Sequence, residues 1–174
     1  MRSPNYKPIV LLAAVLFISA CGFKLKGPIE LPPDLSPLYI HSLNADAMAA
    51  AVVQALTEQE IELTANQSEA KVGLILEDER VDRRVLSVSA ASGRLAEIEL
   101  NHRVELFVLR PDGSVLLDRQ VISQVRDLTF DETAVLAKGA EEAALLEDLQ
   151  REVLSQILRV VDSLAHQSTA SESG

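Results

Sequence analysis

Three histidines, His41, His102 and His166, are the only imidazole bases in this chain of 174 residues. Nucleophilic catalysis needs a serine or cysteine beside such a base, with a third group to orient it, and no G-x-S-x-G turn is present to expose one. His102 falls on the apolar side of an alternating run, which makes it a hydrogen-bonded residue of the core or its rim; His166 lies in a Ser-rich tail. The candidate for a metal site is Glu77-Asp78-Glu79 with Asp82. Successive strand residues point to opposite faces, so at most half of that run can converge on one ion, and a solvated acidic edge is the simpler reading. Gly73, Gly93, Gly113 and Gly139 stand alone, not in a phosphate-cradling loop, so no nucleotide or other cofactor is expected. What remains is a set of cations in an acidic chain: Arg80, Arg83 and Arg84, then Arg94 and Lys138. If the loops carrying Arg94 and Lys138 meet at one end of a sheet, the pair offers a local site for phosphate groups; taken singly, each is a solvated charge.

The only cysteine, Cys21, belongs to a different chemistry. Arg2 and Lys7 precede an unbroken apolar run from Ile9 to Ile18, and Ser19-Ala20-Cys21 follows at once. This is a charged region, an apolar region and a small-residue cleavage site in the order of an export signal. The run has ten residues, where a spanning helix needs roughly 20, so residues 1–20 read as a removable signal. A lone exported thiol has no disulfide partner. Ile18-Ser19-Ala20-Cys21 looks like a bacterial lipobox, in which Cys21 becomes the acylated first residue. Several acyl chains, at about 0.8 kcal/mol per buried methylene, would anchor the protein to a membrane without spanning it. Gly22, where inner-membrane lipoproteins typically carry Asp, favours the outer membrane.

The elements that must position these residues follow from pattern. Residues 21–37 hold Gly22, Gly27, Pro28, Pro32, Pro33 and Pro37, a density of breakers that predicts an extended tether. Leu38 to His41 is a short β-prone run, and Met48, Val52, Ala55, Leu56 and Gln59 then recur at helical steps within a helix over 45–60 that Asn44 would cap. Alternation predicts strands over about 71–79, over 97–109 and over 115–125, the last two joined by Arg110-Pro111-Asp112-Gly113. Thr129-Phe130-Asp131-Glu132 reads as a capping box. A long helix should follow, with Gly139 as its true start or a kink and Leu146, Leu149, Val153, Ile157, Val160 and Leu164 as its stripe. The order strand, helix, strand, strand, strand, helix implies one domain over 38–165, a two-layer α/β (α+β) sandwich with a four-stranded mixed sheet and two helices on one face, and a disordered tail over 166–174.

Composition narrows the function further. The formal charge of −10 becomes −12 once Arg2 and Lys7 leave with the signal, so non-specific nucleic-acid binding is disfavoured. Only Phe23, Tyr39, Phe107 and Phe130 remain as aromatics, too few for base-stacking platforms.

Cys21-Gly22-Phe23-Lys24-Leu25-Lys26-Gly27 resembles the C-G-[FW]-x-L-[RK]-G opening of the LptE family of lipopolysaccharide-assembly lipoproteins. Leu31-Pro32-Pro33 before the first strand, and Leu136-Ala137-Lys138 before a long acidic helix, are similar to that family as well, so the resemblance covers essentially the whole mature chain. It implies a non-enzymatic protein that plugs the outer-membrane β-barrel LptD from the periplasmic side, helps it assemble and takes part in delivering lipopolysaccharide to the outer leaflet. A barrel lumen is polar, which suits a plug with wet faces. The resemblance also implies that Lys138 contacts lipopolysaccharide. The family's loop arginine aligns with Ala91, so that cation is missing here, and Arg94 stands one residue past Gly93 as its substitute. The alternatives are an auxiliary lipid-transport lipoprotein that binds an apolar ligand or another transporter component, and a periplasmic enzyme joining His41 or His102 to a carboxylate and a nucleophile.

Overall fold

The computed structural model describes residues 29–90, 93, 95–129 and 135–172. The signal, the lipobox and Cys21 lie outside the described residues.

Strand β1 (Leu38–Leu43) enters helix α1 (Asp46–Glu58), and a two-residue strand β2 (Leu63–Thr64) follows. Three long strands come next, β3 (Val72–Val88), β4 (Leu95–Leu109) and β5 (Val115–Thr129), and the chain closes on helix α2 (Val135–Glu172). The sheet order is β2-β1-β3-β4-β5, with β1 parallel to both β2 and β3 and the last three strands antiparallel. The sheet therefore has five strands, one more than the sequence pattern predicts. Leu63 and Thr64 are too few to show alternation, and they become a strand only by pairing with Leu38 and Tyr39.

Both helices cover one face. Met48, Val52 and Leu56 of α1 join Val153, Ile157 and Val161 of α2 in one apolar cluster over Leu74, Leu76, Val104, Leu106 and Val108 of the sheet. A second, smaller cluster of Ile98, Leu100, Leu128 and Leu149 lies further along the same strands. For β3 and β4 the strand face that alternation marks as apolar is the face under the helices; in β5 a register shift opposite Leu106 and Val108 reverses the phase, so Val115, Val121 and Val125 are exposed while Ile122 and Leu128 are buried. Residues 29–37, part of the predicted extended tether over 21–37, pack back on the domain: Ile29 and Leu35 are buried in the main cluster, because they are apolar side chains spaced between the prolines.

Several boundaries differ from expectation. Asn44 does not cap α1; it takes a positive φ of 59°, and Ala45 occupies the cap position without a side-chain bond of its own. The entry is held instead by Ser42, whose hydroxyl accepts from Ala45 N at 3.1 Å and donates to Asp46 at 2.6 Å. Thr129 is the last residue of β5, paired with Glu97, so it is not a helix cap; the rest of that box, 130–132, lies outside the described residues. Helix α2 runs through Gly139 without interruption and continues to Glu172 across the Ser-rich segment read as disordered. Its serines bond back to their own helix, as in Ser163 to Val160 O at 2.7 Å and Ser168 to Ala165 O at 3.1 Å, and so leave the helix intact.

The turn between β4 and β5 closes as its residues require. Arg110 N donates to Ser114 O and Gly113 N to Arg110 O, both at 2.9 Å, and Gly113 sits at φ +82°. The Asp112 carboxylate accepts from Ser114, which lowers its pKa, so this contribution is present above the ordinary carboxylate pKa and fades as pH falls. Nothing lies within 4 Å of a Cβ built at Gly113. Gly113→Val is therefore expected to cost about 2 kcal/mol through backbone strain alone, read as a lower urea midpoint with an unchanged m-value.

Candidate functional site

The register of the long strands decides which loops meet. Val88 faces Leu95 across the β3–β4 pair, and Glu97 faces Thr129 across the β4–β5 pair, so the end of β3, the start of β4 and the end of β5 share one end of the sheet. Helix α2 begins six residues after Thr129, and its early turns lie over this end, where Arg83 Nε meets Glu142 at 3.1 Å. The described ends of β3, β4 and β5 and the early turns of α2 thus share one end of the sheet. Lys138 is the fourth residue of α2. Arg94 and Ala91 lie outside the described residues.

The other basic candidates serve the fold. Arg80 pairs with Asp78, Arg83 with Glu142, and Arg84 with Glu99 at 3.1 Å. The acidic run weighed as a metal candidate and read as a solvated edge is divided among ion pairs in the same way: Glu77 goes to Arg119, Asp78 to Arg80 and Glu79 to His102. Among the described residues no group of three His, Cys, Asp or Glu side chains could hold a metal ion.

Glu79 is the one acid of that run that turns inward. A register shift between Glu77 and Arg80, with Asp78 at φ 55°, puts a bulge in β3 and sends the next side chain under α1. One carboxylate oxygen accepts from Met48 N at 3.0 Å, in the first turn of α1, and the other meets His102 Nε2 at 3.0 Å. The backbone N of Glu79 donates to Asn44 O at 3.0 Å. A carboxylate at a helix N-terminus answers orphan N–H donors and the helix dipole together. His102 is 3% exposed, which closes this pair to any substrate. The imidazole that alternation places on the apolar face is a structural one.

The opposite face of the sheet is wet and cross-linked. Arg119 on β5 pairs with Glu77 on β3 and reaches Glu105 on β4 at 3.1 Å, so its pKa is raised, mostly by Glu77, and it stays charged throughout the physiological range. Arg103 bonds Glu105 at 2.6 Å. At the end of this face nearest the β4–β5 turn the polarity changes. Tyr39, His41, Ile75, Phe107 and Leu109 line an open groove of about 320 Å³ with Arg110 at its rim. Tyr39 and His41 stack with ring centroids 5.9 Å apart, and Arg119 stands 4.7 Å over the Phe107 ring. Gly73 forms part of the floor, its position bare of a side chain between Tyr39 and Ile75. Sequence reasoning missed this groove. Its signal was the placement of Tyr39, His41 and Phe107 on the polar phase of their strands, where apolar rings are out of pattern.

No helix of the described residues is long and apolar enough to cross a membrane. Residues 35–161 match the family model for LptE, described as lipopolysaccharide-assembly. The chain is 30% identical over 153 residues to the LPS-assembly lipoprotein LptE of Photorhabdus laumondii, covering 87% of this chain and 82% of that one. Among solved structures it superposes on the uncharacterized lipoprotein B of Nitrosomonas europaea with a TM-score of 0.69 at 26% identity, over 86% of this chain and 94% of the other. The rare lipoprotein B of Shewanella oneidensis shares the fold at a TM-score of 0.62 and 24% identity, over 78% and 98% of the two chains.

Proposed function

From the premise that this chain belongs to the LptE lipopolysaccharide-assembly family, we propose that it is an outer-membrane lipoprotein, acylated at Cys21, that plugs an LptD-type β-barrel and takes part in delivering lipopolysaccharide to the outer leaflet. The observation that carries this reading is the family match across 35–161, which spans the whole sheet and most of α2. The family is one of assembly lipoproteins and not a class of enzymes. The wet sheet face supports a plug, because a lumen wall is polar and mixed in charge. On that face Asn101 Oδ1 and Arg103 Nε are buried without hydrogen-bond partners among the described residues. Each such group costs about 1–3 kcal/mol, and a polar partner surface can recover it.

The test is affinity purification of the tagged, lipidated chain from mildly solubilised outer membranes. One large β-barrel is expected in equal amount, and its absence would overturn the plug reading. A second reading, a lipoprotein that binds an apolar ligand, is favoured by the groove of Tyr39, Ile75, Phe107 and Leu109. A complex with a soluble lipid carrier and none with a barrel would establish it.

Within the first reading, Lys138 in the first turn of α2 and Arg94, which follows β3 in sequence, form the anion site for lipopolysaccharide phosphates. An acidic chain binds an anionic lipid only through such a local patch. Lys138→Glu is expected to weaken lipopolysaccharide binding about tenfold at low salt, with the loss shrinking as salt rises and the melting temperature unchanged. Equal binding by both proteins at moderate salt would remove Lys138 from the site.

A further inference from the structure

Ile29, the first described residue of the tether, is built into the domain. Its backbone N donates to Gln59 Oε1 at 3.2 Å, just past the end of α1, and its side chain is buried in the main cluster. A cleft of about 440 Å³ opens beside it, with Ile29 and Glu30 on one side and Gln59, Glu60, Ile61 and Glu62 on the other. Leu31 and Ile61, both half-buried, pack from this cleft against the main cluster. Glu30, Glu60 and Glu62 are exposed, and among the described residues none of the three carboxylates is in an ion pair; Glu62 accepts from the Ser36 hydroxyl at 3.3 Å. Carboxylates gathered in this way repel one another unless a cation joins them.

The chain just before Ile29 supplies the cations. Lys24 and Lys26 are the only Lys or Arg between Cys21 and Lys71, a stretch that holds seven Asp and Glu. The lipobox reading accounts for Cys21 and the residues before it, and it leaves Lys24-Leu25-Lys26 without a role. Gly27-Pro28 disfavours helix on the approach to Ile29, and in extended chain Lys24 and Lys26 take one side and Phe23 and Leu25 the other. At about 3.3 Å per residue, Lys26 lies within roughly 10 Å of Ile29 and Lys24 within roughly 17 Å. We propose that residues 24–28 occupy the cleft as an extended continuation of the tether, with Lys24 and Lys26 held among Glu30, Glu60 and Glu62 and with Leu25 turned to Leu31 and Ile61. The inference rests on the reading that the mature chain starts at an acylated Cys21. It shortens the free leash from the eight residues 21–28, roughly 26 Å, to Cys21, Gly22 and Phe23, roughly 10 Å. Phe23 then falls at headgroup level, where aromatic rings settle. The corner of the domain formed by the end of α1 and β2 is thereby held against the bilayer, so the anchor fixes orientation as well as attachment.

The test is tryptic cleavage of the acylated mature chain in non-ionic detergent. Its intact mass is read first, so that a missing anchor is seen separately from a free tether. Cleavage after Lys24 and Lys26 is expected to run about tenfold slower than in an acylated peptide of residues 21–32 in the same detergent, because the protease waits for the segment to leave the cleft. The protection should shrink as salt rises, since exposed ion pairs are screened. Glu30→Gln, Glu60→Gln and Glu62→Gln together should bring the rate to within about twofold of the peptide, with the melting temperature unchanged. Asp118→Asn, Asp127→Asn and Glu147→Gln remove the same charge elsewhere and should leave the protection intact. Cleavage of the parent chain at the rate of the peptide overturns the proposal. So does protection that survives the first triple variant or is lost equally in the second. Protection that appears only in vesicles of phosphatidylethanolamine and phosphatidylglycerol also overturns it, and assigns the two lysines to lipid headgroups.

Discussion

Ile157→Asp leaves no cooperatively folded protein. Ile157 is fully buried in the cluster where α1, α2 and the sheet meet, and no cation shares that cluster with it. A carboxyl group placed there stays charged without a partner or takes up a proton and remains an unsatisfied polar group. Either state, together with the lost apolar contacts, costs about 4–5 kcal/mol or more. Small domains are stable by only about 5–15 kcal/mol, so the variant should lack a sigmoidal urea transition and its near-ultraviolet circular dichroism. Ser155→Asp, exposed two residues earlier on the same helix, should unfold within about 0.5 kcal/mol of the parent. A native melting curve for Ile157→Asp would show that the stripe of α2 faces elsewhere.

Glu79→Ala is the second large loss, and it comes from a single carboxylate serving two elements. Its removal strips Met48 N of an acceptor at the start of α1 and leaves His102 buried without the group its ring meets. Losing a helix cap costs about 1 kcal/mol, and an unpaired buried polar group about 1–3 kcal/mol more. The expected total of about 2–4 kcal/mol is measured by denaturant unfolding. Glu79→Gln keeps an acceptor for Met48 and should recover a good part of it. His102→Leu in the Glu79→Ala background should cost less than the sum of the two single changes, because the pair is then removed together. Strict additivity would mean that the two side chains do not depend on each other.

The apolar phases of β3 and β4 and the stripe of α2 were legible in the sequence, because burial on one face imposes a period of two on strands and 3.6 on helices, whereas the phase of β5 was misread because a register shift near Leu117 moves burial to Ile122 and Leu128. The histidine on the apolar phase was legible for the same reason. What it paired with was not, since the bulge at Asp78 that turns Glu79 inward leaves no mark in a run of three consecutive acids. Nor was the fifth strand, whose two residues exist as a strand only through their neighbour. Asn44 and Thr129 misled for a common reason. Both residue types cap helices, but here one turns the chain by a positive φ and the other completes a strand. The family opening at Cys21 was the most specific signal for function, and it lies outside the described residues. The cations Arg94 and Lys138 were evident from residue type alone, and Arg94 lies outside the described residues.

The two apolar clusters on the helix face have a dynamic consequence. His102 stands on β4 between Leu100 of the small cluster and Val104 of the large one, so a polar pair interrupts the core where a continuous stripe would have welded it. The outer ends of β3, β4 and β5 are held by the smaller cluster and by the first turns of α2, without help from α1 or β1. Such a block can open as a unit while the rest stays shut. Amide protons of Ile98, Leu100 and Leu128 should therefore exchange through a sub-global opening, earlier than those of Leu74, Val104 and Leu106, which await complete unfolding. That end of the sheet, away from α1 and β1, can then loosen without unfolding the whole, so the fold carries its own hinge between the two clusters.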